Sequence, residues 1–436
     1  MNGSMQRVVA TVATAAMLGL SASRAAAQAS AGEDGTFFIK GGTIVNPGGQ
    51  RIVNTNILIR NNRIVDIGTS ISSAEAKVID ATGKFIYPGM IDANTGLGLA
   101  EIGSVQTMAL RNEMGDFNPH IRALVGVNVE SELLGVTRMS GVTTVVTSPA
   151  GGAIAGQAAM INTAGWNWED LSVMKDAGMV MTLPGSGGRG GRGGGGGGGR
   201  GRGGATANPN LAADFQRFME ESKAYDDART AGATKLDLIY EAMRPLYHKQ
   251  IPAIINANGD QDIRSAIAFG EKWGLRVVIQ GGADAWKVRQ LLADKKVPVI
   301  LSSIEAAPGD SVPYDEIYAQ PGLLYDAGVK FAFSTGQGAN SRHVAFHAAL
   351  AEAYGLAPEG ALKALTIWPA EIFGADKDIG TVEKGKLANL FITTGDPLDL
   401  RTQVSYVFIK GRDMPFDDRQ TRLYLKYKGR PVPIKP

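Results

Sequence analysis

An alternation constrains this chain most. Strand-length apolar runs at Met90–Asn94, Gly141–Thr147, Gly178–Leu183, Ile251–Asn256, Leu275–Gln280, Val297–Leu301 and Val329–Ser334 are separated by longer, helix-compatible stretches. Asp260–Trp273 sets Ile263, Ala266, Ile267 and Phe269 on or near one face, and Asp284–Asp294 carries Val288, Leu291 and Leu292. Asn340–Tyr354 and Pro358–Leu365 keep the same spacing. Strands that alternate with helices of this length predict a parallel sheet. The number of units favours a closed α/β barrel over an open sheet. No eighth run of this kind stands out. A barrel takes about 250 residues, so a chain of 436 residues has room for a second module.

That module is read from the flanks. Between Thr36 and Tyr87 the chain offers short strand patterns broken by turns at Asn46–Gly49, Asn61–Asn62 and Ala81–Gly83. Many short strands with Gly and Asn turns argue for an all-β unit. Strand patterns return at Ala388–Thr393 and Val404–Lys410.

Two segments fall outside any packed core. Arg7 precedes the apolar stretch Val8–Ala22, and Ala25–Ala27 offers a small-residue cleavage site before Gln28. This is the pattern of a secretory signal peptide over residues 1–27. Its apolar run is shorter than the ~20 residues of a membrane span, so no span is expected after cleavage. The expected address is export, to the periplasm. The chain has no cysteine, which excludes disulfides. Gly185–Gly204 is nearly all glycine and arginine, a composition that buries no apolar surface and predicts a disordered loop. No aromatic residue interleaves the arginines and the net charge is only +2, so nucleic acid is not expected as a partner.

The stretch Lys84–Glu101 carries the chemistry. The strand Phe85–Tyr87 meets Pro88 and Gly89, and the short run Met90–Ile91 ends in Asp92 and Asn94. Polar residues at the C-terminal end of a buried parallel strand are where α/β barrels place their sites. The run resembles the first barrel strand of the amidohydrolase superfamily, P-G-x-I-D-x-H-x-H, and within it the imidazolonepropionase-like branch. Two further stretches are similar to that family. Ile367–Glu371 resembles T-x-N-P-A-x-x-L-G, and Gly380–Leu390 resembles G-x-[LIV]-x-x-G-K-x-A-D-L, with Asn389 in place of the aspartate. The resemblance spans roughly Phe37 to Arg412. It implies an α/β fold: a TIM-type (β/α)8 barrel over 88–378, and a small composite β-sandwich domain in which strands of 28–87 pair with strands of 379–436.

The resemblance also implies a metal, because zinc or a similar ion turns bound water into a nucleophile near neutral pH. The matching ligand positions are substituted. The H-x-H of the first strand reads Asn94 and Gly96. The H-x-H or H-x-[NR] pattern after Ile251–Ile255 reads Asn256 and Asn258. Gly281 stands at the histidine of E-H-G, and Gly336 at the aspartate of T-D. Met179–Leu183 offers no lysine for a carboxylated bridge. Amide oxygens are weak neutral ligands and glycine offers none. The expected cofactor is therefore none, with zinc or another divalent metal only if the site is displaced.

Other polar residues are weighed against bland roles. The chain's histidines are His120, His248, His343 and His347. His343 and His347 stand four apart, which puts both on one face of a helix. Val344 and Ala345 follow His343, so the H-E-x-x-H pattern is lacking and a packing or surface pair is expected. The Gly-rich loop Ser148–Gly152 is expected to be a turn. Candidates for binding a small molecule at the mouth are Asp92, Asn94, Glu101, His120, Gln157, Asn256, Asn258, Gln280, Arg342 and His343, with no catalytic residue assigned. The expected function is an exported amidohydrolase-like protein with a degenerate metal site. It binds a ligand or serves as a subunit beside a paralogous amidohydrolase, or as a homo-oligomer. The alternative is an active hydrolase of amide, cyclic amide or peptide-like C–N bonds, using an atypical site around Glu101, His120 and His343.

Overall fold

The structure, a computed structural model, describes residues 32, 34–101, 110–185, 208–305 and 313–431. The segment 1–27 and the Gly/Arg run beyond Gly185 lie outside them. Among the described residues no helix is long and apolar enough to cross a membrane.

The strands fall into two sheets. The first begins with β1 (Phe37–Val45), β2 (Arg51–Arg60), β3 (Arg63–Gly68), β4 (Lys77–Asp80) and β5 (Phe85–Pro88). The chain then enters the second sheet: β6 (Met90–Thr95), β7 (Val142–Thr147), β8 (Ile154–Asn162), β9 (Ser172–Met181), β10 (Ala253–Ala257), β11 (Val277–Gly281), β12 (Val299–Leu301) and β13 (Phe331–Phe333). It returns to the first with β14 (Leu390–Thr393), β15 (Val404–Ile409) and β16 (Arg412–Asp413).

The first sheet runs β16-β15-β14-β5-β1-β2-β3, with β4 paired to β1. Its N- and C-terminal strands meet at β5 and β14, antiparallel, with Ile86 opposite Ile392. Phe37, Ile39, Ile57, Ile59, Ile86, Leu390, Ile392 and Phe408 form one buried cluster there. The rings of Phe37 and Phe408 meet edge-on at 5.3 Å. Neither half supplies this cluster alone, so the expected composite pairing has an apolar cause.

The second sheet is a nearly closed eight-strand barrel, with strands in sequence order from β6 to β13. All seven expected runs are strands in it. The eighth is β8, which runs antiparallel to both β7 and β9, with Val145 opposite Ile161 and Gln157 opposite Met179. An antiparallel strand needs no crossover helix, so the alternation that signals the others is missing here. Gly156, Gln157 and four alanines or methionines also dilute its apolar pattern, although all nine of its residues are buried.

Helices cover the barrel much as expected. Asp260–Trp273 buries Ile263, Ala266, Ile267 and Gly270, and ends on Gly274 in the left-handed conformation. Pro358–Leu365 starts on proline, whose missing N–H costs nothing at that position. A helix of 20 residues, Leu211–Thr230, is an addition. So is a terminal helix, Arg419–Lys428, where only strands were expected; Asp418 caps it by accepting from the Thr421 N–H at 2.8 Å. Inside the barrel, Ile254, Val278, Ile300 and Ala332 form a layer over Ile372, Phe373 and Ile379.

The sheets are joined at Gly89. Its N–H donates to the Asn389 carbonyl of the first sheet at 2.9 Å, and the next N–H, of Met90, donates to Gly141 of the barrel at 3.0 Å. A Cβ at Gly89 would lie 1.9 Å from Thr143 Oγ1. Gly89→Ala is therefore expected to cost about 1–3 kcal/mol through overpacking. Urea unfolding of the two proteins measures this; an unchanged midpoint would contradict the tight junction.

Candidate functional site at the barrel mouth

The parallel strands β6, β10, β11 and β13 end at one rim. Asp92 in β6 closes the barrel there. Its carboxylate accepts from Thr335 Oγ1 at 2.5 Å, from the Thr335 N–H at 3.1 Å and from the Asn94 N–H at 3.3 Å. The Gly336 N–H then donates to the Asn94 carbonyl at 3.0 Å. β13 and β6 are thus sewn together by a side chain as well as by backbone. Burial pushes the Asp92 carboxyl up to about 6, against the Thr335 bonds that favour its charge.

Next comes a chain of amides. Residues two apart share a face of a strand, so Asn256 stands above Ile254 and Gln280 above Val278. Gln280 Nε2 donates to Asn256 Oδ1 at 2.7 Å, and Asn256 Nδ2 donates to Thr182 Oγ1 at 2.9 Å. Gln280 Oε1 and Asn94 Oδ1 are buried without a hydrogen-bond partner among the described residues. Asn258 is exposed, and its Oδ1 lies 2.4 Å from where a Cβ on Gly281 would project. Gly281 and Gly336 have φ of 111° and 71°, a region side chains rarely adopt.

Gly96 makes room for a residue that sequence reasoning missed. A Cβ there would lie 2.6 Å from Arg111 Cδ, 3.0 Å from its Nε and 3.1 Å from its Nη1. Arg111 Nε donates to the Ser148 carbonyl at 3.1 Å, and Nη1 donates to the Gly336 carbonyl at 3.0 Å. The guanidinium therefore spans the ends of β6, β7 and β13. Burial disfavours its charge, and Asp92 partly offsets this. Nothing in the local pattern marks Arg111, which lies in an irregular loop.

Several candidates do not join this rim. Glu101 accepts from Asn128 Nδ2 at 3.2 Å in the β6–β7 connection. His120 is exposed. Gln157 is buried in β8 and ties down a loop, donating from Nε2 to the Pro119 carbonyl at 3.0 Å. His343 and His347 stand on either side of a helix boundary. The turn Gly338–His343 is a 3-10 helix and the α-helix starts at Val344, so only His347 lies within the α-helix. His343 accepts from Arg342 Nε at 3.0 Å and stacks on Phe346. Arg342 thus has an imidazole partner. His347 is buried, with Nε2 3.4 Å from Ser303 Oγ and 3.7 Å from Glu305. Burial lowers its pKa, which keeps the imidazole neutral. Among the described residues no three His, Cys, Asp or Glu side chains are grouped to hold a metal ion.

The Asp92 carboxyl has a testable sign. Its pKa in the folded chain, about 6, lies above the ordinary 3.8, so the folded state holds the proton more tightly. Its stabilising contribution is then full below about pH 4 and is lost as pH rises through about 6, amounting to ~3 kcal/mol. Asp92→Asn keeps a neutral group facing Thr335. Urea unfolding of both proteins at several pH values is expected to show the native chain losing stability relative to the variant over that range.

Comparison with known proteins agrees with this architecture. A model of the amidohydrolase family matches residues 291–414. The structure of an amidohydrolase from Thermotoga maritima, 26% identical, superposes with a TM-score of 0.74 over 87% of this chain and 99% of that one. Shorter local matches join the chain to curated enzymes. A 5'-deoxyadenosine deaminase of Methanobrevibacter smithii is 39% identical over 67 residues, and a dihydroorotase of Pelotomaculum thermopropionicum is 39% identical over 59. These matches span 15% and 14% of the respective relatives and equal shares of this chain. The family model over residues 291–414 and the Thermotoga maritima structure over most of the chain support assigning it to the amidohydrolase superfamily.

Proposed function

We propose that this protein binds a small molecule at the barrel mouth without a resident catalytic metal, as a ligand-binding or partner subunit. The observation that carries the reading is Arg111. Its guanidinium lies across Gly96, where the second imidazole of the first-strand motif would project. A fixed positive charge in that place opposes a divalent cation. The remaining donors do not fit one either. Asp92 is committed to Thr335, the Asn256 oxygen is taken by the Gln280 amide, and Gly281 and Gly336 carry no side-chain ligand atom. Hard cations need several carboxylate or carbonyl oxygens, and zinc needs a convergent set of imidazole, thiolate or carboxylate ligands.

The mouth then has a different vocabulary from a hydrolase. Amides and backbone carbonyls from neighbouring strands offer neutral hydrogen bonds, and unpartnered oxygens of Asn94 and Gln280 invite donors from a ligand. The rival reading, an active hydrolase of C–N bonds, draws support from the deaminase and dihydroorotase matches. The residues it would use, Glu101, His120 and His343, have separate neighbours. Export to the periplasm, and pairing with a paralogue or a second copy, belong to the proposal and rest on the sequence pattern of residues 1–27 and on the degenerate site.

Elemental mass spectrometry of the mature, untagged protein tests the reading. Zinc, manganese and iron are each expected far below one per chain. About one ion per chain that survives dialysis would overturn it and return the rival to first place.

A further inference from the structure

The proposed reading leaves one charge only partly answered: Asp92 offsets part of the cost of burying Arg111, and that carboxylate is itself committed to Thr335. Arg111 is half-buried, and both of its hydrogen bonds go to neutral backbone carbonyls, those of Ser148 and Gly336. Among the described residues no carboxylate lies within ion-pairing distance of it. The adjoining stretch 102–109 contains no acidic residue. A guanidinium has five N–H donors, so three remain unspent. Leaving the donors of a partly buried cation unspent is unfavourable, and an anion would satisfy them. Ser148 adds a second observation. Its carbonyl holds the guanidinium while its own Oγ is buried with no partner among the described residues. Asn94 Oδ1, two residues before Gly96, is likewise buried and unpartnered.

From this geometry we infer that the barrel mouth is a carboxylate site: Arg111 takes the carboxylate of a small organic acid, Ser148 Oγ donates to it, and Asn94 Oδ1 accepts an N–H carried next to it. The planar fork of a guanidinium matches a carboxylate with two parallel bonds, which a lysine ammonium does not reproduce. The ligand class is an acid with an adjacent amide N–H, such as an N-acyl amino acid. The inference rests on the metal-free reading above, because an ion at Asn94 would displace the guanidinium.

Calorimetric titration of the full-length mature protein with N-acetylglycine tests it, with N-acetylglycine methyl ester as the uncharged control. Metal content is measured on the same sample. Saturable binding of the acid and none of the ester is expected. Arg111→Met is expected to weaken binding at least tenfold, and Arg111→Lys, which keeps charge but loses the fork, by nearly as much. Ser148→Ala is expected to weaken it less. If Arg111→Met does not fold, Arg111→Lys and the acid–ester difference decide. Equal binding of acid and ester, no saturable binding of the acid, or unchanged affinity in Arg111→Lys would overturn the carboxylate site while leaving the metal-free reading intact. One metal ion per chain would instead overturn that reading.

Discussion

The barrel depends on its seam. β6 and β13 are the first and last strands of an eight-strand sheet, and a sheet with two free edges exposes unpaired backbone groups. Here the edges meet through the Asp92 carboxylate, which takes both the backbone N–H and the hydroxyl of Thr335. The backbone bond from Gly336 to Asn94 follows directly. The positions of Asn94, Gly96, Thr335 and Gly336 at one rim all follow from that closure. An acid in this place holds geometry first. Its raised pKa records the cost of burying it, and its partners show what the burial achieves.

The composite sheet adds a second constraint. β5 and β14 pair across a chain separation that encloses the whole barrel. Asn389 ties the two units together from inside. Its Nδ2 donates to Asn162 Oδ1 at 2.7 Å, and its Oδ1 accepts from the Lys410 N–H at 2.8 Å. This residue stands where the family pattern has aspartate. An uncharged amide donates as well as accepts, and the neighbouring Asn162 oxygen requires a donor there.

Much of this was legible in the chain, and the reasons are particular. Runs such as Ile251–Asn256 and Leu275–Gln280 announce buried parallel strands because β-branched residues fill them and helices separate them. Asn94, Asn256, Gly281 and Gly336 were placed correctly at strand ends because each follows such a run directly. β8 escaped because an antiparallel strand inside a parallel barrel has no crossover to mark it. Arg111 escaped because its role is set by two distant carbonyls and a missing side chain, contacts with no sequence period. The spacing of the histidine pair does not mark the element boundary between them, because His343 belongs to the 3-10 turn before the α-helix. Site residues on regular elements are readable from pattern; those on loops are known only from packing.

The stitched sheet has a consequence for how such a chain comes to be. β1 finds its neighbours β2, β4 and β5 within the first part of the chain, but β5 keeps an open edge until β14 exists. That edge waits while some three hundred residues are made, and contacts of such sequence separation form late and slowly. During synthesis the N-terminal sheet therefore carries exposed Ile86 and Phe37, which are covered only when Ile392 and Phe408 arrive. The last strands act as a latch: whatever guards the half-made sheet, a chaperone or a delay in collapse, must let go only after the end of the chain has been threaded home.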